Sequence, residues 1–377
     1  MSMLSTPISM IRPPVIEFGI GTAERLGAWA GARGCRRILV VSDAFNAPRI
    51  ALLGLPGKLS VFGEVRAEPD TGDLERVLAA ADAADADLII GFGGGSAMDL
   101  AKLAAALAGS GQKLSDVVGA GKIAAPGRAA LAQVPTTAGT GSEAGIRALV
   151  TDPTTKSKLA VESIHMLADI AVIDPALTFT VPPAITAATG VDAMAHCVEA
   201  FTNRKSHPAV DLYAIEGVRL VGRYLARAVA DGQDAEARAG LALASLYGGY
   251  CLGPVNTAAG HALAYPLGTR WHMAHGAANA LIFPHVLAFN TPAVPEKTAA
   301  VLEALGLSQS GTVGSVYEAA HAFCASLDIE MKLSKVGVSQ ADLGAMADDA
   351  FAIRRLLDNN PREMSRADIL AIYEAAY

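Results

Sequence analysis

Asp192 and His196 stand four residues apart in the run TGVDAMAHCVEAF. On a helix, residues at i and i+4 leave the same face, so this spacing puts a carboxylate and an imidazole side by side. Two further histidines, His261 and His275, follow in HALAYPLGTRWHMAHG. Three imidazoles and one carboxylate make a donor set for a single divalent cation. Fe2+ and Zn2+ both accept such ligands, and ligand type does not choose between them. The ordinary alternative is that each histidine caps a helix or meets solvent. His165, His207, His285 and His321 are read that way.

A second chemistry is written nearer the amino terminus. In GFGGGSAMDLAK an apolar strand gives way to a helix through Gly93, Gly94 and Gly95. Glycines let backbone approach a ligand closely. Ser96 is expected to cap the helix, whose free N–H groups and positive end favour a phosphate. Asp99 and Lys102 lie one turn further on. This is not a GxGxxG fingerprint, and a single glycine turn is weak. A second such loop, PTTAGTGSEAG, sets Thr136, Thr137, Thr140 and Ser142 among glycines after the next strand. Two such loops at neighbouring strand ends suit a pyrophosphate along the carboxyl edge of a sheet. Asp43 ends the strand RRILVVSD. A carboxylate there can bond a ribose hydroxyl and repel a 2′-phosphate, favouring NAD over NADP. An Asx turn explains it equally well.

These residues need elements to hold them. Residues 1–13 read as a loose start before the strand VIEFG. The apolar runs RRILVVSD, KLSVFGEV, DLIIGFGG and AALAQVPTT then alternate with helical stretches. Thr22 is expected to cap the first of these. Such alternation indicates a doubly wound, mostly parallel α/β domain. TDPTTKSKLAVES reads as a β-hairpin and DIAVIDP as the last strand. After the prolines of LTFTVPPAIT the strand signals stop, and eight helical stretches follow to RADILAIYEAAY. The expected division is 1–180 for an α/β dinucleotide-binding domain and 181–377 for an all-α metal-binding domain. A chain of 377 residues is long enough for two cores. With 52% hydrophobic residues and a net charge of −7, the composition supplies those cores and lacks the basic surface of a nucleic-acid binder or an anionic-lipid binder. No apolar run is long enough to span a bilayer. Cys35, Cys197, Cys251 and Cys324 form no CxxC pair, and the leading MSMLSTPISMIRPP has no secretory pattern. The expectation is a cytoplasmic protein with idle thiols.

The matching runs GGGSAMDLAK, PTTAGTGSE, IDP, TGVDAMAHCVEAF and HALAYPLGTRWHMAHGAANALIFPHV occur in order over nearly the whole chain. By them the sequence resembles the iron-containing (group III) alcohol dehydrogenases, whose fold is shared with dehydroquinate synthase. The resemblance implies metal ligands at Asp192, His196, His261 and His275. It puts Gly94, Gly95 and Ser96 at the pyrophosphate, Thr136, Thr137 and Ser142 along the nucleotide, and Lys158 at the nicotinamide ribose. It also makes Asp43 the residue that sets NAD preference, and it implies a homodimer or higher oligomer.

Three departures stand out. Tyr265 replaces the histidine of HALAHPLG that is thought to relay a proton, so Tyr265, His272 or a water must serve. Glu68 replaces an asparagine near the cofactor. Arg147 replaces a small residue at the substrate pocket, with Leu149 two positions on. A guanidinium there would pair with a carboxylate, phosphonate or sulfonate, although an arginine on a strand is more often solvated or in a structural ion pair. The implied activity is metal-dependent, NAD(P)-linked interconversion of an alcohol and an aldehyde or ketone, with an anionic group on the substrate as an expectation from Arg147. A maleylacetate reductase-like enzyme acting on an oxoacid, and a glycerol dehydrogenase-like polyol dehydrogenase or a dehydroquinate synthase of the same architecture, are the competing readings. A non-catalytic nucleotide-sensing scaffold with a caged metal is the fourth.

Overall fold

The computed structural model describes residues 5–155, 157–307 and 312–377; residues 1–4 of the expected loose start lie outside them. Two compact units divide the chain. One holds Ile11–Thr137 and Gly141–Thr178. The other holds Phe179–Tyr377 with Ala138–Thr140 and the leading stretch through Met10.

The first unit carries, in chain order, β1 (Val15–Phe18), α1 (Arg25–Ala32), β2 (Arg37–Ser42), β3 (Lys58–Phe62), α2 (Thr71–Ala84), β4 (Leu88–Gly93), α3 (Gly95–Leu107), α4 (Leu114–Val117), β5 (Gly119–Ala120), β6 (Ala130–Pro135), β7 (Arg147–Asp152), β8 (Ser157–Glu162) and β9 (Ile170–Ile173). Six strands pair in parallel in the order β1-β9-β6-β4-β2-β3. Alternation along β2 feeds both faces: Leu39 and Val41 join one apolar layer with α2 and α3, Ile38 and Val40 the other with α1. That double burial is why β2 and β4 read as unbroken apolar runs. The strand order reverses between β2 and β4, and in open α/β sheets ligands bind beyond the carboxyl ends of strands at such a switch point. Asp43 follows β2, and Gly94 and Gly95 follow β4. The expected hairpin is present as antiparallel β7 and β8, in a separate sheet with β5.

Two expected caps are corrected. α1 starts at Arg25, and the Thr22 hydroxyl donates to the Gly19 carbonyl instead. α3 starts at Gly95 with Gly94 as its cap residue, so Ser96 lies inside the first turn. A three-glycine junction lets the helix begin one residue before the serine.

The second unit carries α5 (Pro183–Thr202), α6 (Pro208–Ala230), α7 (Ala235–Leu252), α8 (Ala259–Trp271), α9 (His275–Asn290), α10 (Pro295–Ala304), α11 (Val313–Ala325), α12 (Leu343–Ala352), α13 (Arg354–Leu357) and α14 (Arg366–Ala376), with short 3-10 turns and no strand among its described residues. Helix α5 is its centre. Ala187, Val191, Met194 and Val198 enter the apolar core shared with α6, α7, α9 and α11. Gly190 and Gly217 admit the neighbours closely: a Cβ on them would lie 2.3 Å from Leu225 and 2.4 Å from Cys197. The sequence pattern does not single out α10 or α13. The second is one turn, too brief for helical periodicity to register. All four cysteines are free and buried.

Candidate metal and nucleotide sites

Asp192 and His196 do leave the same face of α5, one turn apart and both buried. His261 comes from the first turn of α8. His275 opens α9, where the chain restarts after His272 takes a left-handed φ of 54° and ends α8. The ring Nε2 atoms of His261 and His275 each lie 3.5 Å from Asp192 Oδ1. These three residues offer ligand atoms all within 4.8 Å of one another. His196 stands just outside that triangle, with Nε2 3.8 Å from the same oxygen and its ring stacked on His261 at 4.7 Å.

Two further residues complete the cluster, and the motif spacing did not single them out. Glu199, on α5 one turn beyond His196, accepts a hydrogen bond from the His261 backbone N–H at 3.0 Å and from Ala258 at 2.7 Å. Its Oε2 lies 2.8 Å from His261 Nδ1. A carboxylate there caps α8 across the helix interface, where no side chain of α8 does so. It also holds a proton on Nδ1 and turns the bare Nε2 towards Asp192, the usual outer partner of a metal-binding histidine. Gly260 makes this possible, since a Cβ there would sit 2.1 Å from Glu199 Oε1. Burial alone would raise the Glu199 carboxyl; His261 and the two amides outweigh it and hold it below its usual value. Asn279, one turn after His275, donates through Nδ2 to Asp192 Oδ1 at 2.8 Å, and the same atom lies 3.3 Å from His261 Nε2 and from His275 Nε2. The signals were available: Glu199 shares the α5 face at i+3 from His196, and Asn279 shares the α9 face at i+4 from His275.

The donor set fits a divalent cation. Imidazole lone pairs and a carboxylate oxygen turned on one another repel unless a proton or a cation lies between them. Buried His196 Nδ1 has no hydrogen-bond partner among the described residues. Burial opposes charge on Asp192, yet the surrounding imidazoles hold its carboxyl well below the usual range. The cluster is not closed. The His275 side chain is 31% exposed against 2–3% for His261 and Asp192, so one side of the ligand set opens to small molecules. Tyr265 lies on that side, its ring 5.7 Å from His275 and edge-on to His261 at 6.5 Å. Its hydroxyl makes no hydrogen bond to a described residue. His272 makes no side-chain bond to the cluster among the described residues.

In the α/β unit the two glycine loops meet at the switch point. The Thr136 N–H donates to the Gly93 carbonyl at 2.9 Å, and a Cβ on Gly93 would lie 2.9 Å from Ala97 and 3.1 Å from Asp43 Oδ2. Helix α3 has neither a side-chain cap nor an acidic residue in its first turn, which leaves its opening N–H groups to an anion. That fits a diphosphate. The polar side chains around the loops are largely turned inward. Asp99 accepts from Ser142 Oγ at 2.6 Å and from the Leu149 N–H at 2.9 Å. Lys102, fully buried, donates to Ser142 Oγ and to the Arg147 carbonyl. Asp43 forms the Asx turn, accepting from the Phe45 and Asn46 N–H groups, and Asn46 Nδ2 bridges it to Thr136 Oγ1. Thr137 sits beside Gly94, whereas Thr140 groups with the helical unit. Lys158 bonds Thr151 Oγ1 and pairs with Glu68, which adopts a left-handed φ of 55°. Burial pushes the Lys158 ammonium down to about 8. The Arg147 guanidinium is paired with Glu162 on the adjacent strand at 2.6 Å.

Comparison with known proteins follows the same division. The family model described as iron-containing alcohol dehydrogenase matches residues 13–175, and the C-terminal model of the Fe-containing alcohol dehydrogenase family matches 186–377. The chain is 36% identical to long-chain-alcohol dehydrogenase 1 of Geobacillus thermodenitrificans, covering 98% of this chain and 96% of that one. It is 37% identical to the sulfoacetaldehyde reductase of Bilophila wadsworthia over 86% of this chain and 85% of that one. The crystal structure of a sulfoacetaldehyde reductase from Bifidobacterium kashiwanohense in complex with NAD+ superposes with a TM-score of 0.88 at 25% identity, covering 99% of each chain.

Proposed function

Because the chain belongs to the iron-containing alcohol dehydrogenase family, we propose that it is an iron- and NAD-dependent oxidoreductase that interconverts an alcohol and an aldehyde or ketone. The observation that carries this is the cluster of Asp192, His196, His261 and His275, braced by Glu199 and open beside His275. A caged structural metal would leave no such opening, which disfavours the scaffold reading. When bound, a divalent ion supplies Lewis-acid polarisation of the substrate oxygen and the nicotinamide supplies or accepts the hydride.

The chain's own residues do the rest. Asp192 and the three histidines hold the ion, and Asp192 offsets its charge. Glu199 fixes the His261 tautomer, and Asn279 orients the Asp192 carboxylate. The amides at Gly94, Gly95 and Ser96 receive the diphosphate, with Gly93, Thr136, Thr137, Thr140 and Ser142 shaping the loops around it. Asp99 acts from beneath by tying Ser142 to β7. Asp43 takes the adenosine ribose and disfavours a 2′-phosphate, so NAD is preferred to NADP. Lys158 leaves Glu68 to meet the nicotinamide ribose. Tyr265 passes the proton to or from the substrate oxygen, with His272 as the next group outward.

In this reading 1–180 is the nucleotide domain and 181–377 the metal domain. No helix among the described residues is long and apolar enough to cross a membrane. A cytoplasmic location agrees with the acidic composition. A homodimer through the β1 edge agrees with an unpaired strand edge flanked by exposed Phe18 and Ile20. The sulfoacetaldehyde reductases among its relatives favour an aldehyde that bears an anion.

The test is a screen of metal-reconstituted protein over alcohols, hydroxyacids and sulfonate or phosphonate aldehydes, with NAD and NADP side by side. Nucleotide-linked turnover is expected, faster with NAD. No turnover of any of them would refute the proposal.

A further inference from the structure

Arg147 was the residue expected to receive an anionic substrate, and it already holds a carboxylate. Both its Nε and its terminal nitrogen bond Glu162 Oε2, at 3.1 and 2.6 Å. A guanidinium so engaged is already compensated by that carboxylate, so an incoming anion must compete with it. The metal-bearing unit contains a different arginine without that restraint. Arg355, in α13, lies with its guanidinium carbon 5.7 Å from the centre of the Tyr265 ring, within cation–π range. No carboxylate of the described residues pairs with it. Its neighbours on the same surface are spoken for: Arg354 pairs with Asp358, and Arg270 with Asp349.

The placement gives the free charge a use. Tyr265 lies against His275, the one cluster residue that is substantially exposed. Tyr265 thus touches both the exposed ligand histidine, at 5.7 Å between rings, and the Arg355 guanidinium, at 5.7 Å from its ring centre. Guanidinium recognises planar or tetrahedral oxyanions through paired N–H bonds, at about 2.8 Å. The tyrosine face gives the arginine a fixed wall to rest on, which lowers the cost of ordering its long side chain.

We infer that Arg355, backed by Tyr265, is the substrate-charge receptor of this site: the enzyme's preferred substrates are short aldehydes, or the corresponding alcohols, that carry a sulfonate, phosphonate or carboxylate at the end away from the reacting carbon. This deepens the dehydrogenase assignment and rests on it.

The test uses the metal-loaded enzyme with sulfoacetaldehyde and propanal as a charged and a neutral probe. The wild type is expected to favour sulfoacetaldehyde. Arg355→Ala raises its KM for sulfoacetaldehyde roughly tenfold to a hundredfold, the worth of charge-assisted hydrogen bonds, and leaves KM for propanal unchanged, any change in kcat through the Tyr265 contact being common to both probes. Arg355→Lys recovers part of the loss. In the unaltered enzyme, ethanesulfonate competes with propanal, and more weakly as salt is raised, so the result does not depend on any variant folding. Equal KM increases for both probes, no KM increase for either, or no inhibition by ethanesulfonate overturns the inference while leaving the oxidoreductase intact. Failure of the wild type to turn over any alcohol or aldehyde overturns the underlying assignment instead.

Discussion

The two units build their sites from opposite materials. The nucleotide loops of the α/β unit work by the absence of side chains: glycines at the end of β4 and the start of α3 leave bare N–H groups and room for a diphosphate. The polar residues nearest them, Asp43, Asp99, Lys102 and Ser142, spend their hydrogen bonds on one another and on the backbone. The metal cluster of the helical unit is the reverse. Four side chains from three helices converge, and two more, Glu199 and Asn279, hold them in place. A site made of backbone tolerates changes that leave its shape alone. A site made of side chains depends on every partner behind them.

The sharpest way to break this contrast is at Glu199. Glu199→Gln keeps the shape and the bond to one of the two α8 amides, turns an NH2 group on the other, and removes the charge that polarises His261. Metal affinity should fall roughly tenfold to a hundredfold, read by competition with a chromophoric chelator, and excess metal should restore turnover. An unchanged affinity would mean that Glu199 only caps α8.

The glycine loop should answer differently. At Gly94 the backbone has φ −77°, which any residue adopts, and a Cβ would come no closer than 3.5 Å to Thr137. Alanine is disfavoured against glycine at a helix cap, which offsets the entropic gain, so Gly94→Ala is expected to leave the stability of the free protein within about 0.5 kcal/mol, measured by denaturant unfolding. The added methyl group occupies the space reserved for the diphosphate, so the KM for NAD should rise roughly tenfold. Stability and binding moving together would show that the loop is structural.

A separate test, on stability against pH, concerns Glu143, buried under the second loop. Burial pushes its carboxyl up to about 7, with Oε2 lacking a hydrogen-bond partner among the described residues. A folded-state pKa raised above the ordinary 4.5 means the folded protein binds the extra proton. That contribution is present below pH 4.5 and is lost as pH climbs to about 7. Glu143→Gln should flatten the decline in Tm over this window, and parallel pH profiles for the two proteins would contradict the assignment.

What was legible in the sequence follows from the same contrast. Parallel strands buried on both faces appear as unbroken apolar runs, so β2, β4 and the α/β alternation could be read directly. The i, i+4 spacing of Asp192 and His196 put them on one helix face, and the motif order joined them to His261 and His275. Support residues carry only part of such a mark: Glu199 and Asn279 share a helix face with a ligand, as many residues without a supporting role also do. Glu199 acts across a helix interface that Gly260 opens, a relation between α5 and α8 that no local spacing expresses. Asp99 resembles a ligand in sequence because it lies beside the glycines, yet its carboxylate ties Ser142 to the strand bearing Leu149. Arg147 and Arg355 look alike in a chain of letters; only the Glu162 carboxylate on the neighbouring strand distinguishes a spent guanidinium from a free one.

The most direct test of the central claim is a metal titration. The protein is stripped with a chelator, Fe2+ is returned without oxygen, and nucleotide reduction is followed at each addition. Turnover should be absent in the stripped protein, rise in proportion to added ion and saturate at one ion per chain, with Asp192→Ala silent throughout. Full activity in the stripped protein would contradict the account.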